Sequence, residues 1–241
     1  MLARKLLIFL VLIKILHYFA IQSTFKSIKM DQQQEQLDAL KDIRSMMERS
    51  SKFLSLSGLA GIVVGLIAIA GVMIAYTFLG IQLTEPGYYN LIVDQNGVLN
   101  NNVYQFLFVE LILLLVIALA TAIYLAMRNA LSKGLPVWDA TAKRLLINMA
   151  IPLSAGAIYC SILLYHGHIA LIAPATIIFY GLSILNASKY TYHDIRSLGI
   201  LEILTGLMAS YFVDYGLLFW ALGFGVLHIV YGLYIYFKYE K

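Results

Sequence analysis

Long apolar runs separated by short polar breaks dominate the chain. Six runs approach the roughly 20 residues that cross about 30 Å of hydrocarbon as a helix: 53–78, 103–127, 145–165, 169–185, 198–213 and 216–237. The fourth and fifth are short and need flanking polar residues that reach back to the interface. Only His166-Gly167-His168 separates the third from the fourth, and only the Asp214-Tyr215-Gly216 turn, whose glycine opens the sixth run, joins the fifth to the sixth. Such tight breaks predict two antiparallel helical hairpins.

Composition supports this pattern. Of 241 residues, 61% are hydrophobic and 12% charged, against about 25% charged in an average soluble domain. The expected fold class is all-α: a polytopic transmembrane helix bundle of six spans over 53–241, preceded by a cytoplasmic amphipathic helix at 30–52 and an N-terminal extension at 1–29. Cys160 is the single cysteine and lies in an apolar run, so no internal disulfide and no cysteine-based metal pair can form.

Charge placement sets the expected orientation, because cytoplasmic loops are enriched in Lys and Arg. Lys41, Arg44, Arg49 and Lys52 precede the first run; Arg128, Lys133, Lys143 and Arg144 lie between the second and third. Lys189 and Arg196 lie between the fourth and fifth, and Lys238 and Lys241 follow the sixth. The 84–102 loop and the two tight breaks contain no Lys or Arg. Every second connection is basic, which predicts both termini inside. Tyr88, Tyr89, Tyr104, Tyr165, Tyr211, Tyr215 and Trp220 then fall at the outer boundary. Trp138, Tyr190, Tyr192, Tyr234, Tyr236 and Tyr239 fall at the inner one, as amphipathic rings prefer.

Residues 1–29 conflict with that map as either a signal peptide or a further span. Lys14 interrupts the apolar run 6–13, no small-x-small site follows, and export would carry Lys26 through Lys52 outside. Two readings remain: a basic amphipathic helix on the inner leaflet, or a working start at Met30.

Several features are candidates for function. In 37–54, Leu40, Ile43, Met47 and Leu54 recur at helical spacing opposite Lys41, Arg44, Glu48 and Arg49. Leu40, Ile43 and Met47 are therefore the expected docking face for a cytoplasmic regulatory partner. Ser57, Gly61 and Gly65 make a small-xxx-small ridge on the first run. It fits close helix packing, within the chain or in a homo-oligomer, and Ala221, Gly225 and Gly232 on the last run could be its counterpart.

Glu110, Glu202 and His228 are ionisable residues within runs, where charge is costly and usually functional. Glu202 stands four residues into its run, about 6 Å deep at 1.5 Å per residue. The expectation is that it reaches the cytoplasmic interface while His228 hydrogen-bonds a neighbouring helix. His166, His168 and Asp214 on the two tight breaks have loose spacing for a metal, and none is assigned. In the 84–102 loop, Asn96-Gly97 between apolar stretches fits a β-hairpin. Phosphate-loop, dinucleotide, zinc-protease and serine-elbow motifs are absent from the sequence, so neither a catalytic residue nor a cofactor is expected, nor direct nucleic-acid binding.

The strings "IRSMMERSSKFLSLSGLAG", "KRLLINMAIPL", "LIAPATIIFYGLSILNASKYT" and "YGLLFWALGFGVLHIVYG" resemble, from about residue 40 onward, a family of uncharacterised six-span bacterial integral membrane proteins. The resemblance implies a multi-pass location in the inner membrane and the company of a small winged-helix regulator. It implies no activity. The leading expectation is a membrane sensor or scaffold that signals through the 30–52 helix to a cytoplasmic partner. The runner-up is a small-molecule or ion transporter or channel using Glu110, Glu202 and His228.

Overall fold

A computed structural model describes residues 40, 57–81, 88–93 and 100–241. These residues are helical, with no strand among them. Five helices are long and apolar enough to cross a membrane: α1 (Gly58–Leu79), α3 (Asn101–Ser132), α4 (Ala140–Tyr165), α5 (Ile169–Tyr190) and α7 (Val213–Tyr239). Two shorter helices are α2 (Tyr88–Ile92) and α6 (Ile195–Tyr211). The run at 198–213 is thus a helix, but it has 17 residues and spans about 26 Å at 1.5 Å per residue.

The outer faces carry large apolar side chains, among them Leu113, Leu115 and Val116 of α3, each more than half exposed. Water would penalise such a contiguous surface, whereas hydrocarbon is its natural solvent. The protein is membrane-embedded.

Small residues decide which helices meet. Gly61 and Gly65 of α1 lie on the backbone of α7: a Cβ on Gly61 would stand 3.0 Å from Gly232 Cα, and one on Gly65 2.7 Å from Gly225 O. The small-residue ridge of α1 is therefore occupied within the chain by α7. A second contact of this kind joins α5 to α6. A Cβ on Gly181 would be 2.8 Å from Gly199 O, and one on Gly199 2.8 Å from Leu185 N. Without side chains between them, these helices gain van der Waals contact along their backbones, the main cohesive force available in lipid.

Polar contacts fix the remaining neighbours. Pro152 lies inside α4, so it cannot donate to the carbonyl four residues back, that of Asn148. The Asn186 side chain of α5 donates to that carbonyl at 2.9 Å, and Ser183 Oγ donates to Met149 O at 2.7 Å. Apolar packing closes the two ends. Ile184, Tyr192, Ile195, Leu198 and Ile235 pack where α5 turns into α6 beside the end of α7. Ile92 and Ile169 pack with Leu79, Val103, Leu164 and Leu217 at the other end.

Two local expectations change. Residues 88–92 form one helical turn rather than the first arm of a hairpin, and Ile92 is buried beside Ile169; Asn96-Gly97 lies outside the described residues. Tyr192 is buried and stacks on Tyr239 with ring centroids 4.1 Å apart, rather than facing the headgroups. The 1–29 extension lies outside the described residues, as does the 30–52 helix apart from Leu40.

Candidate functional site

α7 is not a regular α-helix throughout. Its middle, Ala221–Leu227, is a π-helix containing Gly223 and Gly225, both buried. A π turn is wider than an α turn, and such turns occur frequently at functional sites. Here it brings the His228 ring, five residues on, against the carbonyl of Gly223: Nδ1 is 3.0 Å from that oxygen.

Glu202 of α6 faces the same turn. Its side chain is 0% exposed, and its Oε1 lies 3.3 Å from His228 Nδ1. A Cβ at position 223 would stand 2.6 Å from Glu202 Oε2, so glycine at 223 is what leaves the carboxyl its place. Despite the short separation from His228, neither Glu202 oxygen has a hydrogen-bond partner among the described residues. The Nδ1–H bond is directed to Gly223 O instead.

α5 contributes the third member. Tyr180 Oη is 2.6 Å from His228 Nε2. A carbonyl oxygen can only accept, so Nδ1 facing Gly223 carries the proton; in a neutral imidazole Nε2 is then the acceptor. Toward a neutral ring Tyr180 therefore donates, and the Gly223 carbonyl and the Tyr180 hydroxyl together favour the tautomer with its hydrogen on Nδ1. Phe224 lies beside both rings, 4.9 Å from Tyr180 and 6.1 Å from His228 between centroids, with Trp220 4.7 Å beyond it. Three helices thus bring a carboxyl, an imidazole and a phenol into one aromatic-walled interior site.

The expectation that Glu202 reaches the cytoplasmic interface is overturned. α6 begins at Ile195, three residues before the apolar run, so Glu202 lies seven residues in, about 10 Å along the axis. It also faces α7 rather than the helix end. Glu110 does not join the site: it lies on α3, which packs chiefly on α1, and its Oε1 is buried without a hydrogen-bond partner among the described residues. Tyr180 and Gly223 were not singled out from sequence. The available signal for Tyr180 was its mid-run position, where a hydroxyl must find a partner.

The other named positions fall elsewhere. Ser57 precedes α1, and its hydroxyl donates to Glu240 Oε2 at 3.4 Å, while Gly58 N donates to Glu240 Oε1 at 2.5 Å. A carboxylate from the end of the chain thus caps the start of α1, where free N–H groups and the helix dipole favour negative charge. Leu40 is helical and exposed; Ile43 and Met47 lie outside the described residues. Among the described residues, no three His, Cys, Asp or Glu side chains gather as a metal-holding group.

A second polar cluster lies at the α5–α6 turn. Asp194 Oδ2 accepts from Lys238 Nζ at 2.9 Å and from Tyr239 Oη at 2.7 Å, and Lys238 also donates to Tyr234 Oη at 3.0 Å. Burial opposes ionisation of Asp194. The hydrogen bonds from Lys238, Tyr239 and Tyr234, with the attraction of the Lys238 charge, outweigh it and hold the carboxyl below its ordinary range.

No protein-family model, curated protein or solved structure matches this chain.

Proposed function

We propose that this protein is a six-span inner-membrane transporter or channel for an ion or small solute, with both termini inside, working through Glu202 and His228. One observation carries the reading: a wholly buried carboxyl without a hydrogen-bond partner among the described residues, 3.3 Å from an imidazole, beside a π turn in mid-helix. A purely structural bundle gains nothing from that arrangement, since an apolar pair of the same shape is cheaper there. The seventeen residues of α6 span the bilayer if Asp194 and Asp214 at its ends sit in the headgroup layers. The kinship proposed from the sequence strings agrees with six spans and adds no activity.

The sensor or scaffold reading relies on Leu40, Ile43 and Met47 and a cytoplasmic regulatory partner. It differs from transport in one measurable respect, which is water access to the site. Single cysteines at 202 and 224 in a Cys160→Ser background, treated in sealed and inverted membranes with a charged thiol reagent, provide the test. Leu204→Cys, on the lipid-facing side of α6 with the native residue 53% exposed, is the control. Labelling at 202 or 224 but not at 204 is expected. Failure of both site positions to label from either side would remove the transport reading and leave the sensor.

A further inference from the structure

We infer that the ion held at this site is a proton, carried on the Glu202 carboxyl, and that Tyr180, bonded to Nε2, is the positioning residue that keeps a protonated Nδ1 of His228 toward it. The inference rests on the transport reading for its use, while the binding it describes can be measured separately.

The charge balance inside the bundle leads to a proton. A bare carboxylate at 0% exposure needs donors or a counter-charge. Among the described residues, the titratable groups facing Glu202 are His228 from α7 and Tyr180 from α5, and α1 presents glycine and aliphatic side chains, Gly61, Gly65 and Ile69, to this stretch of α7. No Lys or Arg lies between Arg144 and Lys189 or between Arg196 and Lys238. The Nδ1–H of His228 is directed to Gly223 O, so Glu202 has no hydrogen-bond donor among the described residues, and a proton on the carboxyl removes the charge that would need one.

The geometry also provides for the proton's departure. In the loaded state Glu202 is a neutral acid, Nδ1–H of His228 donates to Gly223 O, and Tyr180 O–H donates to Nε2. When the proton leaves Glu202 to solvent, the carboxylate left behind has Nδ1–H 3.3 Å away, and a small turn of the imidazole moves that bond from Gly223 O to Glu202 Oε1. One proton leaves, one negative charge appears, and the imidazole keeps its own proton throughout. Tyr180 supports this because its donation to Nε2 keeps the hydrogen on Nδ1 while the ring turns away from Gly223 O. Without it, a ring turned off that carbonyl can take the other tautomer, which offers the carboxylate a lone pair instead of a donor.

Two spectroscopic readouts on the purified full chain in vesicles of bacterial phospholipid test this, with the proton itself as the probe. The first is the pH-difference infrared signal of a protonated carboxyl. The expected signal has a component that is lost in Glu202→Gln and retained in Glu110→Gln; the absence of any component that Glu202→Gln removes would overturn the proton assignment. The second is the nitrogen spectrum of labelled His228. A pure Nδ1–H tautomer in the native chain at every pH, becoming mixed in Tyr180→Phe above the pH at which the infrared signal is lost, is expected, and an unchanged tautomer there would overturn the positioning role of Tyr180. If 202 or 224 labels from water but the infrared signal is absent, the proton falls and transport stands. If the signal is present but neither position labels, the proton site stands and transport falls.

Discussion

At the scale of single residues, the bundle depends on the absence of side chains at some positions and on charge at one surface position. A Cβ on Gly232 would sit 2.5 Å from Ile62 N and 2.7 Å from Gly58 O. Both are backbone atoms that no rotamer change can move, so Gly232→Ala should separate α1 from α7. We expect a loss of about 1–3 kcal/mol, the usual cost of overpacking, seen as a lower unfolding midpoint in detergent. Asp194 predicts a pH effect whose sign follows from its depressed folded value. Such a carboxyl contributes stability that is present above its unfolded value, about 3.9, and is lost as pH falls through the folded one. Asp194→Asn should therefore unfold at lower temperature than the native chain at neutral pH. The gap should close below about pH 3.9, and an equal gap at both pH values would contradict the assignment.

At the scale of elements, the sequence pattern was informative wherever a helix is defined by what it excludes, and silent wherever it is defined by what it touches. Apolar runs located α1, α3, α4, α5 and α7 to within five residues at either end, because long uninterrupted hydrophobicity has few other outcomes in a membrane. The Ser57-Gly61-Gly65 spacing likewise marked a close-packing face. The π turn left no such mark, since Ala221–Leu227 has the same apolar composition as an α-helical stretch. Glu202 was placed too shallow for a related reason: the hydropathy run begins at 198, but Ile195 and Arg196 already belong to the helix. Pro152 was visible, yet its consequence required the neighbour. That pairing gives a double-mutant test. Asn186→Leu should cost about 1 kcal/mol by leaving the Asn148 carbonyl unpaired. In a Pro152→Ala background the backbone N–H returns, and the same change should cost markedly less. Additive losses in the unfolding midpoints would mean that the two residues do not serve the same carbonyl.

At the scale of the whole molecule, α6 decides the number of crossings. Five helices satisfy length and hydropathy together, and α6 has one full face in the centre of the bundle, with Gly199 and Gly206 against α5 and Glu202 against α7. A helix committed to those neighbours cannot lie flat on the membrane surface without exposing Glu202, so packing argues for a crossing where length alone is marginal. The Lys and Arg map argues the same way: with α6 across, 128–144, 186–197 and the tail share one basic side, whereas without it the tail would stand opposite the other two. The decisive measurement is therefore a comparison across α6. Single cysteines at His193 and at Asp214, in the Cys160→Ser background, should label from opposite sides of sealed membranes, with 214 outside and 193 inside together with a cysteine at Lys241. If 193 and 214 label from the same side, α6 does not cross. Glu202 would then be near a surface, with access to water that requires no conformational change, and the reason for reading the Glu202–His228–Tyr180 cluster as a membrane-interior site would be gone.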